Sequence, residues 1–274
     1  YGRKIHDEHG KTSFIPYGKE GQAIYSISRG RFNQLLVDEA EKLGVNMFFG
    51  HKVDDVDLRT NELTVTDANG TQEKIFSNVI IGSDGAYSAL RNAMLKQVRF
   101  NYKQEYITHG YKELSIPPTE DGEFAMDPNA LHIWPRGSFM LIALPNPNKS
   151  FTCTLFLPFD GERVCFENIR DEKDVTSIFE TYFDDAYKIM PNLKEEYFKN
   201  PTSALINIEC YPWMLKSALL IGDASHAMVP FYGQGMNAGF EDCTVLSELM
   251  KKHNEDWPAI FEEYSRERKP DGDA

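Results

Sequence analysis

The stretch FYGQGMNAGFEDC, residues 231–243, gathers three glycines, two amides and two acids directly after ALLIGDASHAMVP, an apolar run that carries Gly222 and Asp223. Glycines lack the Cβ atoms that would hold a phosphate or a flat ring away from the backbone. The first N–H groups of a helix are unpaired and, with the helix dipole, attract negative charge. Placed as the loop that opens the last helix, Gly233, Gln234, Gly235, Met236 and Asn237 therefore read as a seat for a planar, partly anionic ring system. The spacing of Gly233, Gly235 and Gly239 superficially matches the G-x-G-x-x-G turn of dinucleotide-binding proteins. That turn needs its first glycine directly after a strand, and here about ten residues intervene, so an ADP-binding turn is rejected.

Two segments, NVIIGSDGA and ALLIGDASHA, share one plan: an apolar strand, a glycine, an acid and a small residue. In a doubly wound sheet ligands sit beyond the carboxyl ends of the strands, which would turn Asp84 and Asp223 toward one crevice, where a carboxylate can accept from ribose or ribityl hydroxyls. Alternatively, each Asp caps the helix that follows or holds a turn. Pro230, Phe231 and Tyr232 form either an apolar wall beside the ring or ordinary core. His226, with no Cys or His at metal-ligand spacing, reads as a structural histidine, and no metal site is expected. Glu241 and Asp242 are adjacent on a helix and point in different directions, so they do not form a paired acid site. At the other end, Arg3 and Tyr17 suit a carboxylate ligand, one by bidentate charge-assisted bonds and the other by a directed hydroxyl. From spacing alone that signal is weak, and a solvated Arg with a half-buried Tyr is the plainer reading.

These residues need elements to position them. Ser28 is placed to cap an amphipathic helix with apolar Phe32, Leu35, Leu36, Ala40 and Leu43, stopped by Gly44. NMFFG, ELTVTDANGTQEKIF with its Asn69-Gly70 turn, and NVIIG read as strands, and YSALRNAML as a helix. From about residue 105 to 165, ALHIWP, SFMLIALP and SFTCTLFLPF read as a mostly antiparallel sheet. Asp174 is placed to cap a helix running from Val175 to Ile189. ALLIG is a buried strand and MNAGFEDCTVLSELMKKH a helix. The fold class expected is α/β: a Rossmann-like nucleotide-binding domain interrupted by a mostly antiparallel sheet domain.

Composition bounds the function. With 274 residues, 41% hydrophobic and 26% charged, the chain is an ordinary globular one. Its net charge of −13, without a basic block, argues against nucleic acid as a partner. Cys153, Cys165, Cys210 and Cys243 are widely spaced, which suits a reducing compartment better than a disulfide framework. No apolar run approaches the roughly 18 to 20 residues of a membrane-spanning helix.

IGSDGAYSALR and LLIGDASHAMVPFYGQGMNAGFEDC, together with ALHIWPRGSFMLIALPN, SFTCTLF and the GRKIHD opening, resemble the single-component FAD-dependent aromatic hydroxylases over nearly the whole chain. The resemblance implies FAD as cofactor, NADPH as reductant and dioxygen as co-substrate. The implied activity is hydroxylation of the aromatic amino acid L-kynurenine to 3-hydroxykynurenine through a flavin C4a-hydroperoxide, in tryptophan degradation. Arg3 and Tyr17 match the pair that holds the substrate carboxylate. Leu131, Met140, Ile142, Leu144 and Phe156 match the apolar sheet face beneath its ring, and Pro230, Phe231 and Gln234 the wall and polar contact nearer the flavin. Gly222 and Asp223 match the FAD-contacting Gly-Asp pair. Pro230, Gly233, Gly235, Met236 and Asn237 lie alongside the isoalloxazine, and Asp84 lies in the motif that helps hold FAD and couple NADPH use. The domains implied are 1–27, strands of the substrate pocket; 28–107, the middle of the FAD-binding domain; 108–208, the substrate-binding sheet; and 209–274, the C-terminal part of the FAD-binding domain. Family members begin with a strand and a G-x-G-x-x-G turn and continue into helices that complete the pocket. The chain, which shows neither, is expected to be a piece of a cytoplasm-facing enzyme whose eukaryotic relatives are anchored to the outer mitochondrial membrane. Rival expectations are a flavin hydroxylase of another aromatic acid or phenol, and a flavin-free binding domain.

Overall fold

Alternation of apolar and polar residues along the strands builds the central sheet of this protein, whose computed structural model describes residues 1–274 apart from Glu20, Val98, Glu162, Arg163 and Ala274, and of Tyr232 the backbone only. The hairpin β1 (Gly2–His6) and β2 (Thr12–Pro16) is followed by α1 (Arg29–Lys42). Next come β3 (Lys52–Asp57), β4 (Glu62–Thr66), β5 (Gln72–Phe76), β6 (Ile80–Gly82) and α2 (Ala89–Leu95). Long β7 (Asn101–Ile116) leads to β8 (Ala130–Arg136), β9 (Phe139–Pro145) and β10 (Phe151–Pro158). Helices α3 (Glu172–Tyr182), α4 (Asp184–Tyr187) and α5 (Leu193–Lys199) precede β11 (Ser203–Tyr211), β12 (Met214–Leu215) and β13 (Ala218–Leu220). The chain finishes with α6 (Asp223–His226), α7 (Gly235–Lys252) and α8 (Trp257–Gly272).

The chain divides into two compact units, residues 1–46 with 108–204 and residues 47–107 with 205–274, and the division falls inside β7 and β11. The larger sheet has the order β11-β7-β10-β9-β8-β1-β2. Its neighbours are antiparallel in the pairs β7/β10, β10/β9, β9/β8 and β1/β2, and parallel in β1/β8. One face is dry: Trp134, Leu141, Ala143, Cys153 and Leu155 pack with Val175 and Phe179 of α3 and with Phe183, Ala186 and Leu193. The sequence expectation of a helix capped by Asp174 is corrected by one turn. Asp171 is the N-cap, and Asp174 fills the reciprocal place of a capping box. The helix also breaks at Phe183, whose non-helical backbone lets its ring enter the core.

In the second unit, β13 lies between β12 and β6, parallel to β6 with Leu220 opposite Gly82. Leu90 and Met94 of α2, Leu246 and Leu249 of α7, and Ile260 and Phe261 of α8 share its core. β3, β4 and β5 form a separate antiparallel meander, and its β4–β5 loop, residues 67–71, turns at Gly70 with φ +83° while Asn69 is not left-handed, so the loop is longer than the two-residue Asn-Gly turn. NMFFG is not a strand. Residues 46–49 carry no regular structure, and Gly50 turns at φ +69° just before β3 begins. An apolar run becomes a strand only where a neighbour accepts its backbone bonds. Ser28 does cap α1, accepting from the Arg31 N–H, yet none of the described α1 residues is buried.

Burial therefore predicts opposite outcomes for two apolar truncations. Phe179→Ala, at a site with no exposed surface, should cost about 3 to 5 kcal/mol in urea denaturation. Leu36→Ala, on the exposed face of α1, should change stability by less than about 0.5 kcal/mol.

Candidate functional site

Parallel pairing of β6 and β13 brings the two Gly-Asp segments to neighbouring strand ends. Asp84 accepts from the backbone N–H of Ala89 at 2.7 Å and of Leu90 at 3.3 Å, so its carboxylate caps α2 beside Ser88, which takes the Arg91 N–H. The capping role weighed for this acid is thus present in the structure. Asp223 is exposed in the first turn of α6. Between the two acids runs Arg91, 1% exposed, whose guanidinium donates to the carbonyl of Ala224 at 2.7 Å and to that of Ala86. Arg91 was not singled out from the sequence, although a cation inside the mostly apolar ALRNAML was a usable signal.

The Gly-Asp turn itself is held by a buried ion pair that adjacency rules could not reveal. Gly222 adopts φ +59°, ψ −144°, a region open to glycine, and its N–H donates to Asp242 Oδ2 at 2.8 Å. His226 Nε2–H donates to the same oxygen at 2.7 Å, and Arg268 Nε–H donates to Oδ1 at 2.9 Å. Asp242 is wholly buried, whereas Glu241 is exposed and meets Arg268 from the other side at 3.0 Å. Burial works against the Asp242 carboxylate, but the bonds from His226, the Gly222 N–H and Arg268 outweigh it and hold its pKa below the ordinary value.

The loop ahead of α7 stands next to this turn. Gly233 is left-handed at φ +65°, and no side chain caps α7. A Cβ built at Gly235 would lie 3.9 Å from Asp223 Oδ1, so the carboxylate and the helix N-terminus are neighbours. Asn237 donates to Gln234 Oε1 at 3.1 Å, and both residues line a cavity of about 800 Å³ with His226, Val229 and Glu241. Pro230, Phe231 and Met236 are exposed, and the Tyr232 side chain lies outside the described residues. A helix N-terminus without a side-chain cap among the described residues, glycines in place of Cβ atoms, an exposed carboxylate and open apolar side chains fit a large cofactor with anionic and flat aromatic parts.

In the other unit the candidate residues share one sheet face. Arg3 is opposite Leu131, Ile133 opposite Ile142, and Met140 opposite Phe156, so the period of two sets Arg3, Leu131, Met140, Ile142, Leu144 and Phe156 on the side away from α3. Arg3 and Tyr17 meet: the guanidinium carbon lies 5.3 Å from the ring centroid. Tyr17 is half-buried, its hydroxyl shielded from solvent without a hydrogen-bond partner among the described residues, and Arg3 is exposed, the solvated Arg and half-buried Tyr that spacing also allowed. A carboxylate ligand would satisfy both groups.

With this geometry in place, comparison with known proteins gives the class: the chain belongs to the FAD binding domain family, which it matches over residues 9–274. It is similar to the kynurenine 3-monooxygenase of Christiangramia forsetii, 49% identical over 99% of this chain and 61% of the relative. It is also similar to that of Sus scrofa, 46% identical over 99% of this chain and 58% of the relative. The chain thus spans about three-fifths of the length of these curated relatives. In fold it resembles the tetrameric form of 2-methyl-3-hydroxypyridine-5-carboxylic acid oxygenase, with a TM-score of 0.74 at 18% identity over 99% of this chain and 69% of the other. The α/β fold class read from the sequence is the one found. Among the described residues no helix is long and apolar enough to cross a membrane.

Asp242→Ala would strip Arg268 and His226 of their buried acceptor and leave Arg268 only the exposed carboxylates of Glu241 and Asp271, and calorimetry should show a loss of about 3 to 5 kcal/mol. The Asp242 carboxyl sits below its ordinary 3.8 in the folded state. Its stabilisation is therefore complete above that value and disappears as pH falls through the lowered one. A melting-temperature profile should accordingly drop less steeply in acid for Asp242→Asn than for the unaltered protein.

Proposed function

We propose that the protein is an FAD-dependent monooxygenase that hydroxylates L-kynurenine to 3-hydroxykynurenine with NADPH and dioxygen. Similarity at 46 to 49% identity to relatives bearing that activity in their names supports the reading. The observation that carries it is the Arg3–Tyr17 pair, a guanidinium and a shielded hydroxyl that both lack partners among the described residues, at the edge of an apolar sheet face. When bound, the flavin takes electrons from NADPH and activates dioxygen, one atom of which enters the aromatic ring while the other leaves as water.

The chain's own residues do the rest. Arg3 takes the substrate carboxylate through two N–H donors and Tyr17 adds its hydroxyl, fixing the end of the substrate remote from the reacting carbon. Leu131, Met140, Ile142, Leu144 and Phe156 receive the aromatic ring and keep water from it. Asp223, Gly235, Met236 and Asn237 would hold the flavin, with Gly222 and Gly233 allowing its close approach. Asp84 would act through the α2 start that it caps, and Pro230, Phe231 and Gln234 would flank the ring system.

Kynurenine should accelerate NADPH oxidation by the FAD-loaded protein and yield the 3-hydroxylated product. Arg3→Ala should raise the kynurenine KM by roughly two orders of magnitude, the loss of a charge-assisted anchor costing about 2 to 4 kcal/mol, while flavin remains bound. An unchanged KM, or turnover confined to an aromatic acid without an amino-acid side chain, would overturn the reading.

A further inference from the structure

On the face of β1 opposite Arg3, two buried imidazoles form a continuous polar chain. His6 is 6% exposed and His132 1%. His6 Nδ1 lies 2.6 Å from Asp185 Oδ2, His6 Nε2 lies 2.9 Å from His132 Nδ1, and His132 Nε2 lies 2.9 Å from the Asp127 carbonyl oxygen. Trp134 Nε1–H donates to the second Asp185 oxygen at 2.8 Å, and its ring stacks on His6 with centroids 4.1 Å apart.

Each of these contacts needs a hydrogen. A carbonyl oxygen and a carboxylate only accept, so His132 Nε2 and His6 Nδ1 both carry protons, and the contact between the rings requires a third. Two neutral imidazoles supply only two. We infer that His6 and His132 together hold one extra proton, a buried cation balanced by Asp185, and that this pair positions Arg3 for its ligand, the last step resting on the function proposed above. The proton belongs to the rings rather than to Asp185: burial pushes that carboxyl up, but the bonds from His6 and Trp134 outweigh it and keep it below the ordinary range. Burial disfavours charge on His132, whose Nδ1 faces His6 Nε2. The other charges facing the pair are Lys4 and Asp127, 3.6 Å apart, and Arg136 with Asp7 and Glu8 around it.

The position of β1 explains why this matters for Arg3. Its outer neighbour β2 is exposed along its whole length, so β8 is the firm side. Arg136 donates to the carbonyl of His6 at 2.9 Å and to that of Asp7 at 3.1 Å. Backbone and side chain of His6 therefore fasten one end of the strand that presents Arg3. Losing the extra proton breaks one of the three bonds and leaves Asp185 without its counter-charge, and a misplacement of about 1 Å at an anchoring group can cost up to about a hundredfold.

Nitrogen NMR of isotope-labelled histidine in the FAD-loaded protein should find, at neutral pH, one buried ring protonated on both nitrogens, and Asp185→Asn should abolish that signal. The same substitution should raise the kynurenine KM roughly tenfold with a smaller effect on kcat, increasingly so as pH falls back toward neutrality from alkaline values where the unaltered protein has already lost the proton. In an Arg3→Ala background it should add no further rise. Two neutral rings in the unaltered protein would overturn the proton assignment, whether or not Asp185→Asn folds. An unchanged KM in Asp185→Asn, where Arg3→Ala raises it, would overturn the positioning role. If Arg3→Ala itself leaves KM unchanged, the carboxylate anchor and the positioning role fall together, while NMR still decides the proton.

Discussion

A carboxylate with no exposed surface tolerates its burial only if every lone pair facing the protein finds a donor. Asp242 meets that condition with a guanidinium, an imidazole and one backbone N–H, and the geometry of the second unit follows from it. The N–H belongs to Gly222, so satisfying the acid dictates the glycine-only conformation that aims Asp223 outward. The imidazole belongs to α6 and the guanidinium to α8, so one side chain of α7 ties three helices to one strand end. An apolar residue in its place could pack but could not specify the turn.

In the sheet unit the governing constraint is instead the period of two. Residues 140, 142 and 144 face away from α3 while Leu141 and Ala143 are buried beneath it, so a single strand, β9, serves both a core and a candidate binding face. Shifting the register by one residue would exchange the two sets. The His6–His132 pair shows the same alternation in β1, where residue 3 faces one way and residue 6 the other.

How much of this the sequence disclosed depended on how far apart the cooperating residues lie. Local devices were legible: the Ser28 cap, the turn at Gly70, the apolar alternation of β8 to β10 and the glycine-rich start of α7. NMFFG failed because apolarity alone does not supply a partner strand, and Asp174 because two acids at capping-box spacing compete for one cap. The polar networks were invisible for a different reason. Asp242 meets Arg268 across 26 residues, and His6 meets Asp185 across 179, separations at which no pattern rule operates. Adjacency with Glu241 correctly dismissed an acid pair but gave no hint that Asp242 turns inward.

The same distinction separates polar groups saturated within the fold from those left open. Asp242 and the His6–His132 pair have their polar atoms facing donors or acceptors supplied by the chain, save for His226 Nδ1, and such saturation marks groups that hold the fold. The Tyr17 hydroxyl is incomplete by the same accounting among the described residues, while Arg3 and the start of α7 are open to solvent. Tyr197 and Tyr264 also carry unpaired hydroxyls, but theirs sit within the apolar cores, whereas Tyr17 lies against a guanidinium that has no partner of its own among the described residues. Arg3 is open to solvent, so the shielded Tyr17 hydroxyl beside it is the group for which the chain supplies no partner among the described residues. Asp242 and His226, both met in the sequence and both set aside as chemistry, prove to be part of the framework, whereas Arg91 and Asp185 were not singled out there at all.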